Sequence, residues 1–255
     1  MFSTDSALRN RPLPDLAEAR RRKEGYASTP IAVQAEPQPL MHAAAFGLRG
    51  RNYYAHARNP PYWRAIPGAV DALLLRPEVG ARLAEVDHRL AQAGLRLFLL
   101  DAWRPAEVQA YFHDQWFPAE LRRRHSDWSE ARIAEEVRRY WAPPSSSGAP
   151  APHATGAAVD LTLTWEDGEP LFMGSLFDDV TPLAHADRFE RRAPGMASFS
   201  EEEARANRRL LYWSMQEAGF AGHPDEWWHY SYGDQMWARL TGAPEALFDA
   251  IEPEI

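Results

Sequence analysis

The chain has 255 residues, 45% of them hydrophobic and 25% charged, which excludes a disordered or fibrous protein and leaves one or two globular domains. Its 28 basic against 36 acidic side chains, a formal net charge of -8, exclude a nucleic-acid binder that works by phosphate neutralisation. The absence of cysteine excludes disulfide frameworks, thiolate metal sites and cysteine nucleophiles. A chain of this length buries roughly 70% or more of its unfolded surface, so a metal would serve chemistry rather than staple the fold. No apolar run reaches the about 18 residues of a membrane helix, and the first residues lack the apolar stretch of a signal peptide. The sequence as given therefore reads as cytoplasmic and soluble, with no membrane insertion.

Residues 1–41 are polar, charged and proline-dotted, and read as an arm wrapped on the surface or partly mobile, with little chemistry expected there. Residues 46–63 mix aromatic and small side chains as loop and short strand. Val79, Leu83, Val86 and Leu90 lie behind Pro77 and ahead of Gly94, so the spacing predicts a helix over 78–93 with one buried stripe. Residues 95–100 read as a buried strand. Pro105 opens a helix over 105–116 that puts Val108, Phe112 and Trp116 on one face. Residues 120–141 carry six arginines and five acids around Trp128, Ile133 and Val137, a helical segment with a solvated face.

The proline-rich run 143–152 is a loop. In the strand 158–163, Val159, Leu161 and Leu163 alternate with Ala158, Asp160 and Thr162, so Asp160 points away from the apolar face. Ser200 and Glu203 have the spacing of a capping box for a helix over 201–218, ending at Gly219, and 227–232 reads as a last strand. No repeat and no long linker divides 42–255, which reads as one domain.

Three pieces carry chemistry: Arg104 behind a buried strand, His153 seven residues before Asp160, and Glu226 three residues before His229. Zinc takes neutral imidazole and carboxylate oxygen, and a catalytic site uses three protein ligands and leaves the fourth position to water. His153, Asp160 and His229 supply such a set, for one ion per chain. Glu226 is then a general base and Arg104 a fixed cation for a developing oxyanion. Taken singly, each pair also occurs by chance, Arg104 suits a surface helix start, and Trp227, Trp228 and Tyr230 suit a core. Since i and i+3 face opposite ways in a regular strand, Glu226 reaches the metal of His229 only by preceding the strand or sitting at a bulge.

The runs APHATGAAVD over 151–160 and EWWH over 226–229 resemble the motifs S-x-H-x-x-G-x-A-x-D and E-x-W-H of the zinc-dependent D-Ala-D-Ala dipeptidases of the VanX type. DAWRP (101–105), DLTL (160–163), MGSLFD (173–178) and NRRL (207–210) are similar to further motifs of that family, in the same order. The resemblance, over about 70–232, implies an α+β fold in which a small, mainly antiparallel sheet is flanked by helices. It also implies zinc on His153, Asp160 and His229, Glu226 as base, Arg104 on the scissile carbonyl and Asp178 on the substrate's ammonium. The implied partner is a small dipeptide, D-Ala-D-Ala or a related D-amino-acid dipeptide, cut to free amino acids; oligomeric state is left open.

The chain departs from the family at Ala151, where a serine helps hold the substrate's carboxylate; Ser145 to Ser147 are the nearest substitutes. Tyr53 and Tyr54 are the nearest counterparts of a tyrosine that helps bind the ammonium, with packing as the plainer role. The remaining histidines read as surface or structural, His185 lying close enough to Asp178 to line a pocket. Competing readings are a zinc D,D- or L,D-carboxypeptidase that trims cell-wall peptides, and a non-catalytic metal or peptide-binding module.

Overall fold

The computed structural model describes residues 5–34, 38–141, 148–190 and 196–253. The N-terminal arm holds two short helices, α1 (Asp5–Asn10) and α2 (Ala17–Lys23). Leu13 and Leu16 between them are buried against Ala186 and Tyr212. Two-residue strands β1 (Met41–His42) and β3 (Leu74–Leu75) pair with each other, and β2 (Arg49–Gly50) lies between them in sequence.

Helix α3 (Pro77–Ala91) buries Val79, Leu83, Val86 and Leu90 as their spacing requires. Each such side chain contributes about 1.5–3 kcal/mol by leaving water. Strand β4 (Leu95–Asp101) follows, burying Leu95, Leu97, Leu99 and Asp101. The helix expected over 105–116 is shorter: α4 (Ala106–Ala110) passes into a π-helical turn at Tyr111–Trp116 and then α5 (Phe117–Arg124). That wider turn seats Phe112 at 4.9 Å from the ring of Tyr54, 5.0 Å from Tyr62 and stacked at 4.3 Å on Trp141. In α6 (Glu130–Tyr140), Ile133 and Val137 face the core while Arg122 and Glu130 pair in solvent.

Strand β5 (Ala158–Trp165) is buried on both faces up to Thr164. Val159, Leu161 and Leu163 join the main core, and Asp160 points the other way, into the site. Helix α7 (Phe199–Glu217) is capped two residues earlier than expected: Ser198 Oγ accepts from Glu201 N at 3.2 Å and the Glu201 carboxylate accepts from Ser198 N at 3.0 Å. Glu203 instead pairs with Arg9 of the arm, at 2.9 Å. The chain closes through β6 (Ala221–Gly222), β7 (His229–Ser231) and α8 (Gln235–Thr241). The strand expected over 227–232 shrinks to three residues because Trp227 and Trp228 belong to the turn before it. Trp227 N donates to Ala184 O at 3.0 Å rather than to a strand partner.

The main sheet has the order β2-β4-β5-β7-β6; β2 runs parallel to β4 and the other pairs are antiparallel. The α+β fold thus agrees with the expected one. Between Leu99 and Asp101 the register slips, so that Asp101 rather than Leu100 faces Asp160. Asp160 in turn pairs with His229. One bulge therefore brings Asp101, Asp160 and His229 into a row across three strands. Among the described residues, no helix is long and apolar enough to cross a membrane.

Candidate active site

His153 reaches this row from the 3-10 turn Pro152–Thr155. Gly156 closes the turn at φ 69°, a conformation that favours glycine, and a Cβ there would push aside the end of the Leu40 side chain, 2.4 Å away at Cδ2. Buried Arg76 fixes the turn from outside, donating from Nε to Thr155 O at 2.7 Å.

His153 Nδ1 donates to Ala102 O at 2.7 Å, which turns the lone pair of Nε2 inward. His153 Nε2 and His229 Nδ1 lie 3.1 Å apart, His229 Nδ1 and Asp160 Oδ1 3.1 Å, and His153 Nε2 and Asp160 Oδ2 3.3 Å. A tetrahedral ion with ligand bonds of about 2.0–2.1 Å has ligand edges of about 3.3 Å. All three residues are buried. Their donor set and spacing fit a tetrahedral metal ion with one open position. Burial pushes the Asp160 carboxyl up, but His153 and His229 outweigh it and hold the group well below the usual carboxylate range.

Glu226 lies in the turn before β7, which removes the difficulty of its spacing from His229. Its Oε2 is 3.8 Å from His229 Nδ1 and 3.9 Å from His223 Nδ1. Burial pushes its carboxyl up to about 7, against the lowering pull of His229. Arg104 is no surface residue: its side chain is 7% exposed. It donates from Nε to Asp101 Oδ2 at 2.8 Å, from Nη1 to Gln109 Oε1 at 2.9 Å, and from Nη2 to Asp160 Oδ2 at 3.2 Å and Tyr54 Oη at 3.3 Å.

Asp178 is buried at φ 58°, a backbone conformation that costs a residue with a side chain about 1–3 kcal/mol. Its Oδ2 accepts from Tyr54 Oη at 2.7 Å and Tyr62 Oη at 2.9 Å. Burial and then the Asp160 charge push its carboxyl up to about 8, against Arg104 and the two hydroxyls.

Arg104, His153, Asp160, Asp178, Glu226 and His229 all line one cavity of about 780 Å3. Tyr54 carries a polar contact beyond packing, whereas Tyr53 points its hydroxyl at Pro60 O, 2.5 Å away. Tyr62, Gln109 and Asp101 were not singled out in the sequence; only the D-x-x-R spacing of Asp101 and Arg104 hinted at one of them. His223, expected to be surface or structural, lines the cavity, and its buried Nδ1 makes no hydrogen bond among the described residues. His185 does not line it and lies 3.7 Å from Asp225. Ser145 to Ser147 fall outside the described residues, and Ala151 is buried at the cavity wall. Part of the segment read as a solvated face, Glu135, Arg138 and Arg139, borders the cavity instead.

The model of peptidase family M15, described as D-ala-D-ala dipeptidase, matches residues 41–245. A D-alanyl-D-alanine dipeptidase of Synechocystis sp. is 34% identical over 177 residues, covering 65% of this chain and 71% of the relative. One of Streptomyces coelicolor is 32% identical over 187 residues, covering 71% and 83%. Among solved structures, VanYB in complex with D-alanine-D-alanine aligns with a TM-score of 0.40 and 17% identity, covering 72% of this chain and 89% of that one. A family match over most of the chain, together with relatives above 30% identity, establishes that this protein belongs to the D-Ala-D-Ala dipeptidase family of M15 peptidases.

Proposed function

We propose that the protein is a zinc-dependent dipeptidase that hydrolyses D-Ala-D-Ala, or a related D-amino-acid dipeptide, to free amino acids. In this reading one catalytic domain spans 42–255, one ion sits on His153, Asp160 and His229, and the enzyme acts on free dipeptide in the cytoplasm. The observation that carries it is the short span between two fixed points. From Asp160 Oδ2 the path to Arg104 Nη2 (3.2 Å), Tyr54 Oη (3.3 Å) and Asp178 Oδ2 (2.7 Å) limits the separation of the two carboxylates to about 9 Å. One residue of about 3.5 Å, with a polar contact at each end, fills that span, and a second residue does not fit. An ammonium held by Asp178 and a carbonyl at the His153, Asp160 and His229 centre therefore belong to the same amino acid.

Zinc, when bound, supplies a Lewis acid that polarises the carbonyl and acidifies a water. Glu226, its carboxyl near neutrality, takes the proton of the attacking water and returns it to the leaving amine. Arg104 offsets negative charge as it develops on the carbonyl oxygen, held in place beforehand by Asp101 and Gln109. Asp178 binds the ammonium, and Tyr54 and Tyr62 hold its carboxylate in place from behind. This arrangement disfavours the carboxypeptidase reading, because a longer peptide would bury an uncharged amide against Asp178. Comparing release of D-alanine from D-Ala-D-Ala and N-acetyl-D-Ala-D-Ala tests this. Only the free dipeptide should be cut efficiently, and equal rates on both would overturn the assignment.

A further inference from the structure

Asp178 answers one charge of a zwitterionic dipeptide, and the carboxylate at its other end needs a donor of its own. Arg104 is engaged by Asp101, Gln109, Asp160 and Tyr54, and Ala151 offers the cavity only a methyl group. The cavity wall continues outside the family match, which begins at residue 41: Lys23 and Tyr26 of the arm line it. Lys23 is the only lysine in the chain. Its side chain is 15% exposed, and Nζ donates to Asp225 Oδ2 at 2.7 Å and Arg139 O at 3.3 Å. An ammonium has three N–H donors, so one is left without an acceptor among the described residues.

Two features separate Lys23 from a purely structural ion pair. Asp225 already has a second cation, since Arg20 Nε donates to Oδ1 at 2.7 Å while the same guanidinium grips Asp187 at 2.7 Å. The arm is also seated without Lys23: Leu13 and Leu16 are buried, and Tyr26 Oη donates to Pro150 O at 2.7 Å, beside Ala151. Lys23 thus stands on the cavity wall, its ammonium held in place with donor capacity to spare.

Resting on the dipeptidase reading, we infer that Lys23 binds the substrate's C-terminal carboxylate, which makes the N-terminal arm part of the substrate pocket. The test compares D-Ala-D-Ala with D-Ala-D-alaninamide, which differs only in that charge. In Lys23→Met, kcat/KM for the acid should fall about ten- to hundredfold, the range of a charge-assisted hydrogen bond, chiefly through KM. The value for the amide should hold within about twofold, and Lys23→Arg should recover most of the loss. Equal losses on acid and amide, as a displaced arm would give, overturn the inference, as does no loss on either.

A second readout needs no turnover. Mass spectrometry follows acetylation of the single lysine in the zinc-loaded Glu226→Gln protein, with D-Ala-D-Ala, D-alanine, a longer peptide ending in D-Ala-D-Ala, or the dipeptide amide present. Protection by a free carboxylate and none by the amide supports the site, and no protection by any of them removes it. If the unaltered protein cuts no dipeptide, the function reading falls, and this labelling alone decides the role of Lys23.

Discussion

Replacing Asp178 with asparagine keeps the shape of the proposed ammonium pocket and removes its charge. Taking one partner from a buried ion pair costs about 3–5 kcal/mol. In the free protein burial raises the carboxyl to about 8, so at pH 7 it must lose a proton before it can receive an ammonium, which offsets about 1.4 kcal/mol. The difference, about 1.6–3.6 kcal/mol, corresponds to a loss of about 15- to 450-fold in kcat/KM at pH 7. The sign with pH follows from the raised value. The form that binds is ionised, it is scarce below 8, and the advantage of aspartate over asparagine grows as pH rises. The ratio of the two kcat/KM values should rise with pH until the substrate's own ammonium, which titrates at about 8, begins to lose its proton. Measuring D-alanine release by both proteins between about pH 5.5 and 7.5, where the substrate keeps its ammonium, tests this, because titrations of the remaining groups are common to both and cancel in the ratio. A ratio that is flat or falls with pH refutes the role given to Asp178.

Arg104→Ala should lower kcat by about 10²–10³-fold, as for loss of an oxyanion donor. It should also lower the melting temperature, since Asp101 and Asp160 lose a buried counter-charge; a change confined to KM contradicts the role. Glu226→Gln should abolish measurable turnover while zinc content, measured by elemental analysis, stays at one per chain; loss of the metal would instead make Glu226 a ligand. Gly156→Ala should destabilise the protein by about 1–3 kcal/mol in chemical denaturation, because of its positive φ and the approach of Leu40. An unchanged midpoint would show that the turn relaxes freely.

The parts of this protein written in local patterns were legible. The apolar stripe of α3, the alternation in β5 and the spacing of His153, Gly156 and Asp160 follow from helix and strand periods and a turn that needs glycine. The parts made by distant contacts were not. Tyr62 meets Asp178 across 116 positions of sequence and Lys23 meets Asp225 across 202, and nothing local marks a tyrosine or lysine for such a partner. The bulge that places Asp101 opposite Asp160 is a register event between two strands, invisible in either alone. Ser198 and Ser200 both stand three residues before a glutamate, so the capping spacing alone fits either, and the fold takes the earlier.

Release of free D-alanine from D-Ala-D-Ala by this protein, after chelation and again after stoichiometric zinc is restored, decides whether it is a zinc dipeptidase. Activity should vanish with the metal, return with about one zinc per chain, and be absent in a His153→Ala protein treated the same way. Hydrolysis that survives complete metal removal, or a zinc-loaded protein that leaves the dipeptide intact, contradicts that reading.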